Sequence, residues 1–145
     1  GAVRLTERFG LGGTVPEDEF ADALDAVSAE LGRLDGRPTP DALVGMGGAV
    51  TNLAAVMLEL GSYEPDLVQG TSLDLPEIDR QIELYRTSTV EQRRRIVGLQ
   101  PKRAEVILAG ACIVRTVLAK VGCRSLTVSD RGLRHGLLVE RFGTR

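Results

Sequence analysis

Apolar residues fall at helical spacing most clearly between Glu17 and Leu34. There Phe20, Leu24, Val27, Leu31 and Leu34 step by four, three, four and three and line one face. Pro16 and the acids Glu17, Asp18 and Glu19 suit a first helical turn and the positive end of its dipole, and Asp35-Gly36 ends the run. A second helix is predicted from Thr51 to Leu60, with Leu53, Val56, Met57 and Leu60 inward and Gly61 as its stop. Asp74, Pro76 and Glu77 form a helix start that puts Ile78, Ile82 and Tyr85 on one face. Thr89 and Gln92 repeat the capping-box spacing and open a short basic helix through Arg93-Arg94-Arg95. From Pro101 to about Val121 the residues are apolar nearly all round, from Val106 through Val114 above all. That is a buried central helix, or else a buried strand followed by a helix. The helix is favoured because the run exceeds usual strand length.

Three stretches read as strands. Val3-Arg4-Leu5-Thr6 alternates apolar and polar residues. Ala42-Leu43-Val44 runs into Gly45-Met46-Gly47-Gly48. Leu126-Thr127-Val128-Ser129 precedes a turn at Asp130-Arg131-Gly132 and a closing helix, Leu133 to Phe142. Tyr63 to Leu73 reads as irregular, with a short extended arm around Val68. This order of strands and helices argues an α/β fold in one domain, residues 1–145, with no internal repeat. A strand that starts almost at the first residue, with no cap before it, suggests a chain cut from a longer one. Self-association is then expected, either through the open edge at Val3–Thr6 or through the aliphatic face that the strand's missing neighbours should cover.

Composition narrows the partners. At 145 residues the chain can bury roughly two-thirds of its unfolded surface, and a hydrophobic share of 43% with 26% charged residues is ordinary for a globular protein. Net charge is −2 with acids and bases interleaved, which gives no argument for a nucleic-acid duplex or a membrane surface. The longest uncharged apolar run, Val106 to Val114, is far short of the ~20 residues of a membrane span. Two cysteines and one histidine cannot supply a four-ligand Cys/His zinc site, and such sparse cysteines are read as reduced thiols.

Two segments carry candidate chemistry, each between a strand and a helix. In Gly45-Met46-Gly47-Gly48-Ala49-Val50-Thr51-Asn52, glycines allow close backbone approach and a helix N-terminus attracts phosphate. Gly47, Gly48, Thr51 and Asn52 are the candidate ligands. The segment lacks the Gly-Lys-Ser/Thr of a Walker loop, and Val50 stands where the dinucleotide fingerprint has its third glycine; a purely structural turn is the competing reading. The second segment is Ser129-Asp130-Arg131-Gly132-Leu133-Arg134-His135-Gly136, at a strand's C-terminal end, where α/β proteins place ligands. Asp130, Arg131 and Arg134 are its cleft candidates. The competing reading is a helix cap by Ser129 or Asp130 with solvated arginines. His135 reads as a surface or helix-end residue, Arg93-Arg94-Arg95 as a solvated face, and no carboxylate is marked out as a general base or metal ligand.

Four segments together resemble the exopolyphosphatase/guanosine-pentaphosphate phosphatase (Ppx/GppA) family. They are 1–9 (GAVRLTERF), 45–55 (GMGGAVTNLAA), 98–111 (GLQPKRAEVILAGA) and 126–138 (LTVSDRGLRHGLL). The resemblance implies the second, C-terminal subdomain of an actin-like fold (sugar kinase/heat-shock ATPase, RNase H-like) without its first two strands, beginning in the third. It also implies a cytoplasmic, Mg²⁺-dependent hydrolase acting on the terminal phosphate of polyphosphate or the 5′-phosphate of guanosine pentaphosphate. The implied Glu general base and the Asp-Ile-Gly-Gly-Gly-Ser type phosphate loop match no segment of this sequence, so no catalytic residue is assigned and the missing half of the same protein becomes an expected partner. The family usually has Thr where Ala49 stands and Glu where His135 stands. A non-catalytic phosphate-sensing or interaction module, or a sugar kinase or ATPase of the same fold, are the alternatives.

Overall fold

The computed structural model describes residues 1–143. Eight α-helices alternate with three short strands: α1 (Ala2–Phe9), α2 (Glu17–Glu30), β1 (Val44–Met46), α3 (Gly48–Met57), α4 (Pro65–Val68), β2 (Ser72–Asp74), α5 (Leu75–Arg86), α6 (Val90–Arg94), α7 (Ile107–Val121), β3 (Ser125–Ser129) and α8 (Leu133–Phe142). The sheet order is β1-β3-β2, with β1 parallel and β2 antiparallel to β3. The α/β expectation holds.

The chain opens as a helix, not as the strand read from Val3–Thr6. Ala2, Leu5 and Phe9 fall at helical spacing, and Leu5 and Thr6 are buried against a helical layer. Gly10 ends α1 in the left-handed region at φ 63°, and its amide and that of Leu11 return to the Thr6 carbonyl. Four alternating residues carry less weight than a helix stop with a buried face behind it. No strand edge exists at Val3–Thr6, so neither a beginning in a third strand nor self-association through that edge stands.

The central helix is α7. It buries ten of its residues, Leu108, Ala109, Ala111 and Leu118 completely, and packs against α1, α2, α3 and α5. It begins at Ile107 rather than Pro101: residues 101–103 form a separate 3₁₀ turn whose bonds span three residues. The helix after Pro16 likewise stops at Glu30 and gives way to a 3₁₀ turn over Gly32–Leu34. The stretch read as irregular holds α4 and β2, and Val68 is buried in α4 rather than extended. Asp74 caps α5 by accepting from the Glu77 amide at 2.9 Å, and Thr89 and Gln92 form the expected capping box of α6.

Arg93 overturns the solvated reading of the basic run. Its side chain is fully buried and donates to four carbonyls: Tyr85 (2.9 Å), Leu11 (3.0 Å), Ala104 (3.1 Å) and Gly13 (2.5 Å). Desolvation pulls its pKa down to about 10, so it stays charged at neutral pH. One cation thereby ties the end of α5, the loop after α1 and the segment before α7 together. Arg94 and Arg95 are exposed as expected. Both thiols are free; burial pushes that of Cys112 up to about 12.

Candidate functional site

Parallel pairing of β1 with β3, Val44 opposite Thr127 and Met46 opposite Ser129, makes both strands end at the same edge of the sheet. The turns that follow them therefore lie side by side. Between them is a cleft of about 590 Å³. Gly47, Gly48 and Thr51 line one wall. Asp130, Gly132, Leu133, Arg134, His135 and Leu138 line the other.

The first wall is built by two glycines with different duties. Gly47 sits at φ 101°, ψ 171°, a backbone conformation side chains rarely adopt, and it turns β1 directly into α3. No side chain caps α3, so the amides of its first turn, which begins at cleft-lining Gly48, have no side-chain acceptor. At Gly48 a Cβ would overlap the guanidinium of Arg103, which lies on the turn. Arg103 has no carboxylate partner among the described residues. Thr51 donates its hydroxyl back to the Gly47 carbonyl at 3.2 Å.

The second wall begins at Asp130, whose amide donates to Oε1 of Gln69 at 2.8 Å and whose carboxylate accepts from the Tyr63 hydroxyl. Burial, and secondarily that carboxylate, push the Tyr63 pKa up to about 12, so the phenol keeps its proton. Neither Ser129 nor Asp130 caps α8; Ser129 Oγ instead accepts from the Arg131 amide at 3.2 Å. α8 stands on the cleft rim with none of its residues buried.

Of the residues singled out in the sequence, the fold brings Gly47, Gly48, Thr51, Asp130 and Arg134 to one cleft. It does not bring Asn52, which is 2% exposed and bonded inward, or Arg131, which lines a neighbouring depression with Met46 and Val139. Sequence reasoning missed Arg103 and Tyr63, which come from distant segments to contact the cleft residues Gly48 and Asp130 and leave no local signal. It placed His135 at a helix end, which is right, without seeing that this end is the cleft wall.

The donor set does not fit a resident Mg²⁺. Among the described residues no three His, Cys, Asp or Glu side chains gather, and Asp130 is the one carboxylate lining the cleft. What the arrangement presents around open space is a helix N-terminus and the Arg134 side chain, with Thr51 and His135 beside them.

These features define an α/β protein with an open cleft at the ends of adjacent parallel strands. The chain belongs to the Ppx/GppA phosphatase family, whose model matches residues 1–144. A crystal structure of the type II variant of the Aquifex aeolicus Ppx/GppA phosphatase superposes with a TM-score of 0.91 at 34% identity, covering 98% of this chain and 47% of that one. Exopolyphosphatase 2 of Mycobacterium tuberculosis is 25% identical over 99% of this chain and 47% of its own length. A bifunctional 3-dehydroquinate synthase/phosphatase of Fusobacterium nucleatum is 28% identical over 97% of this chain and 21% of its own. The chain thus spans about half of the exopolyphosphatase it matches and a fifth of the bifunctional enzyme. The expected resemblance to half of an actin-like phosphatase stands. No helix among the described residues is long and apolar enough to cross a membrane.

Proposed function

We propose that this chain is the C-terminal subdomain of a cytoplasmic, Mg²⁺-dependent hydrolase and forms one wall of its phosphate cleft. The substrate is inorganic polyphosphate or guanosine pentaphosphate, the latter tying the enzyme to the stringent response. One observation carries the reading: two strand-to-helix turns, at Gly47-Gly48 and at Asp130–Gly132, face each other across a cleft lined by Thr51 and Arg134, with Arg103 packed on Gly48. On this reading the first-turn amides of α3 hold non-bridging phosphate oxygens, and Thr51 and Arg134 add a hydroxyl and a charge. Asn52 supports that wall from behind, and Arg131 faces substrate lying beyond the cleft. No residue of this chain is assigned as general base; the attacking water is activated by residues of the other half of the protein. Any Mg²⁺ is carried chiefly by the substrate's own phosphates. The other half of the protein, and a second copy, meet the exposed side of α8.

The test is a titration of the chain with tripolyphosphate read by phosphorus NMR, in parallel with Gly48→Val. The wild type is expected to broaden and shift the phosphate signals, and the variant to bind roughly tenfold more weakly while remaining folded. By itself the chain is expected to release no phosphate. Equal binding by a folded Gly48→Val chain would reduce the glycine turn to a structural bend. Hydrolysis by the chain alone, lost on changing one of its residues, would refute the assignment of the base elsewhere.

A further inference from the structure

Asn52 sits one turn into α3, behind the cleft wall, and is 2% exposed. Its two polar atoms go to two different segments. Nδ2 donates to the Gly48 carbonyl at 2.8 Å, and Oδ1 accepts from the Gln100 amide at 2.9 Å. Gln100 is the residue that opens the 3₁₀ turn 101–103, and its own carbonyl accepts from the Arg103 amide at 2.8 Å. Arg103 then returns to the start, its guanidinium packed on the Cα of Gly48. The four residues close a ring: Gly48, Asn52, Gln100, Arg103 and Gly48 again. Beyond Arg103, the Ala104 carbonyl is held by buried Arg93 at 3.1 Å, so the turn is fixed at both ends.

From this ring we infer that Asn52 is a positioning residue that sets where Arg103 sits over the glycine turn. The inference deepens the proposed phosphate cleft and rests on that reading only for the use to which Arg103 is put. The chemistry explains the residue type. The site needs a donor for a carbonyl and an acceptor for an amide within one short, uncharged, buried side chain, and Asn supplies both. Leaving the Gln100 amide without an acceptor inside the fold costs the full desolvation of that group, so the turn would move to find water and take Arg103 with it. Asn52 itself touches no ligand, because it is 2% exposed behind the wall and turned toward the protein.

The experiment combines two readouts on the 145-residue chain. The first is the Arg103 Nε–H resonance and the exchange protection of the Gln100 amide. In Asn52→Ala both are expected to change, the amide losing tenfold or more of its protection. In Asn52→Asp, which keeps the shape and whose buried carboxyl, held protonated by desolvation, still donates to the Gly48 carbonyl and accepts from the Gln100 amide, the protection is retained. The second readout is tripolyphosphate affinity in a double-mutant cycle with Arg103→Ala. Asn52→Ala is expected to weaken binding about as much as Arg103→Ala, and to add nothing in the Arg103→Ala background. An unmoved Arg103 resonance in Asn52→Ala overturns the positioning role, and so does a fully additive loss of affinity. Should wild-type chain bind no tripolyphosphate while Asn52→Ala still frees Arg103, the ring is upheld and the anion reading of the cleft is what fails.

Discussion

Helices α7 and α8 are both rich in aliphatic residues, yet one is the centre of the molecule and the other stands outside it. α7 buries ten side chains among α1, α2, α3 and α5. α8 buries none, and Leu133, Leu138, Val139 and Phe142 are 79%, 58%, 68% and 76% exposed. The contrast teaches that the core closes without α8. It is complete on the side of α5 and α7, where Ile78, Tyr85, Ile107 and Leu118 are buried. It is open on the side of β1, an edge strand whose Val44 and Met46 stay over half exposed. The cleft lies at that open side, so the part of the molecule with candidate chemistry is also the part least fixed by its own packing.

If stability resides in the α5–α7 block, the largest loss follows from Arg93→Ala. Four carbonyls, three of them buried, would lose a charged donor and a cavity would open, a cost of about 3–5 kcal/mol. Urea unfolding should show it, and a loss under 1 kcal/mol would mean that the block does not depend on its buried cation. Next is Gly98→Ala. Gly98 lies at φ +90° with its α-carbon against the Ala55 backbone, so a methyl group would overlap the end of α3; about 2–3 kcal/mol is expected. A neutral result would show that α3 slides freely over the block. Asp74→Ala removes the one side-chain cap of α5 and should cost about 1 kcal/mol.

The smallest effect sharpens the comparison most. Replacing Leu137 and Phe142 of α8 with Ser should change the chain's stability by no more than about 0.5 kcal/mol, because both side chains stay more than half exposed. A loss above 2 kcal/mol would place α8 in the core in solution.

The cleft was half legible. Gly47 and Gly48 announced themselves through glycine between an apolar run and a helix, and Asp130 and Arg134 through their place after a strand. Asn52 carried the same local signal as Thr51, one residue away. The helix turns successive residues by about 100°, which sends Thr51 to the cleft and Asn52 to the interior. Arg93, Arg94 and Arg95 show the same thing more sharply. Three identical residues read as one solvated face, and only the four carbonyls gathered from Leu11 to Ala104 explain why the first is buried and the others exposed.

By itself the sequence determined what depends on neighbours along the chain. Those features are the helix starts at Glu17, Asp74 and Thr89, the α7 helix from its all-round apolar surface, the strand before Asp130, and the family from four spaced segments. Each follows from side-chain periodicity, capping chemistry or glycine freedom over a few residues. Tertiary structure alone decided the rest. It made Val3–Thr6 helical by burying Leu5 and Thr6 against α7, and turned Ser72–Asp74 into a strand by pairing it with β3. It also laid Arg103 on Gly48 across more than fifty residues of chain. Such choices are made by contacts between segments far apart in sequence, whose energies exceed the fraction of a kcal/mol by which local propensities differ.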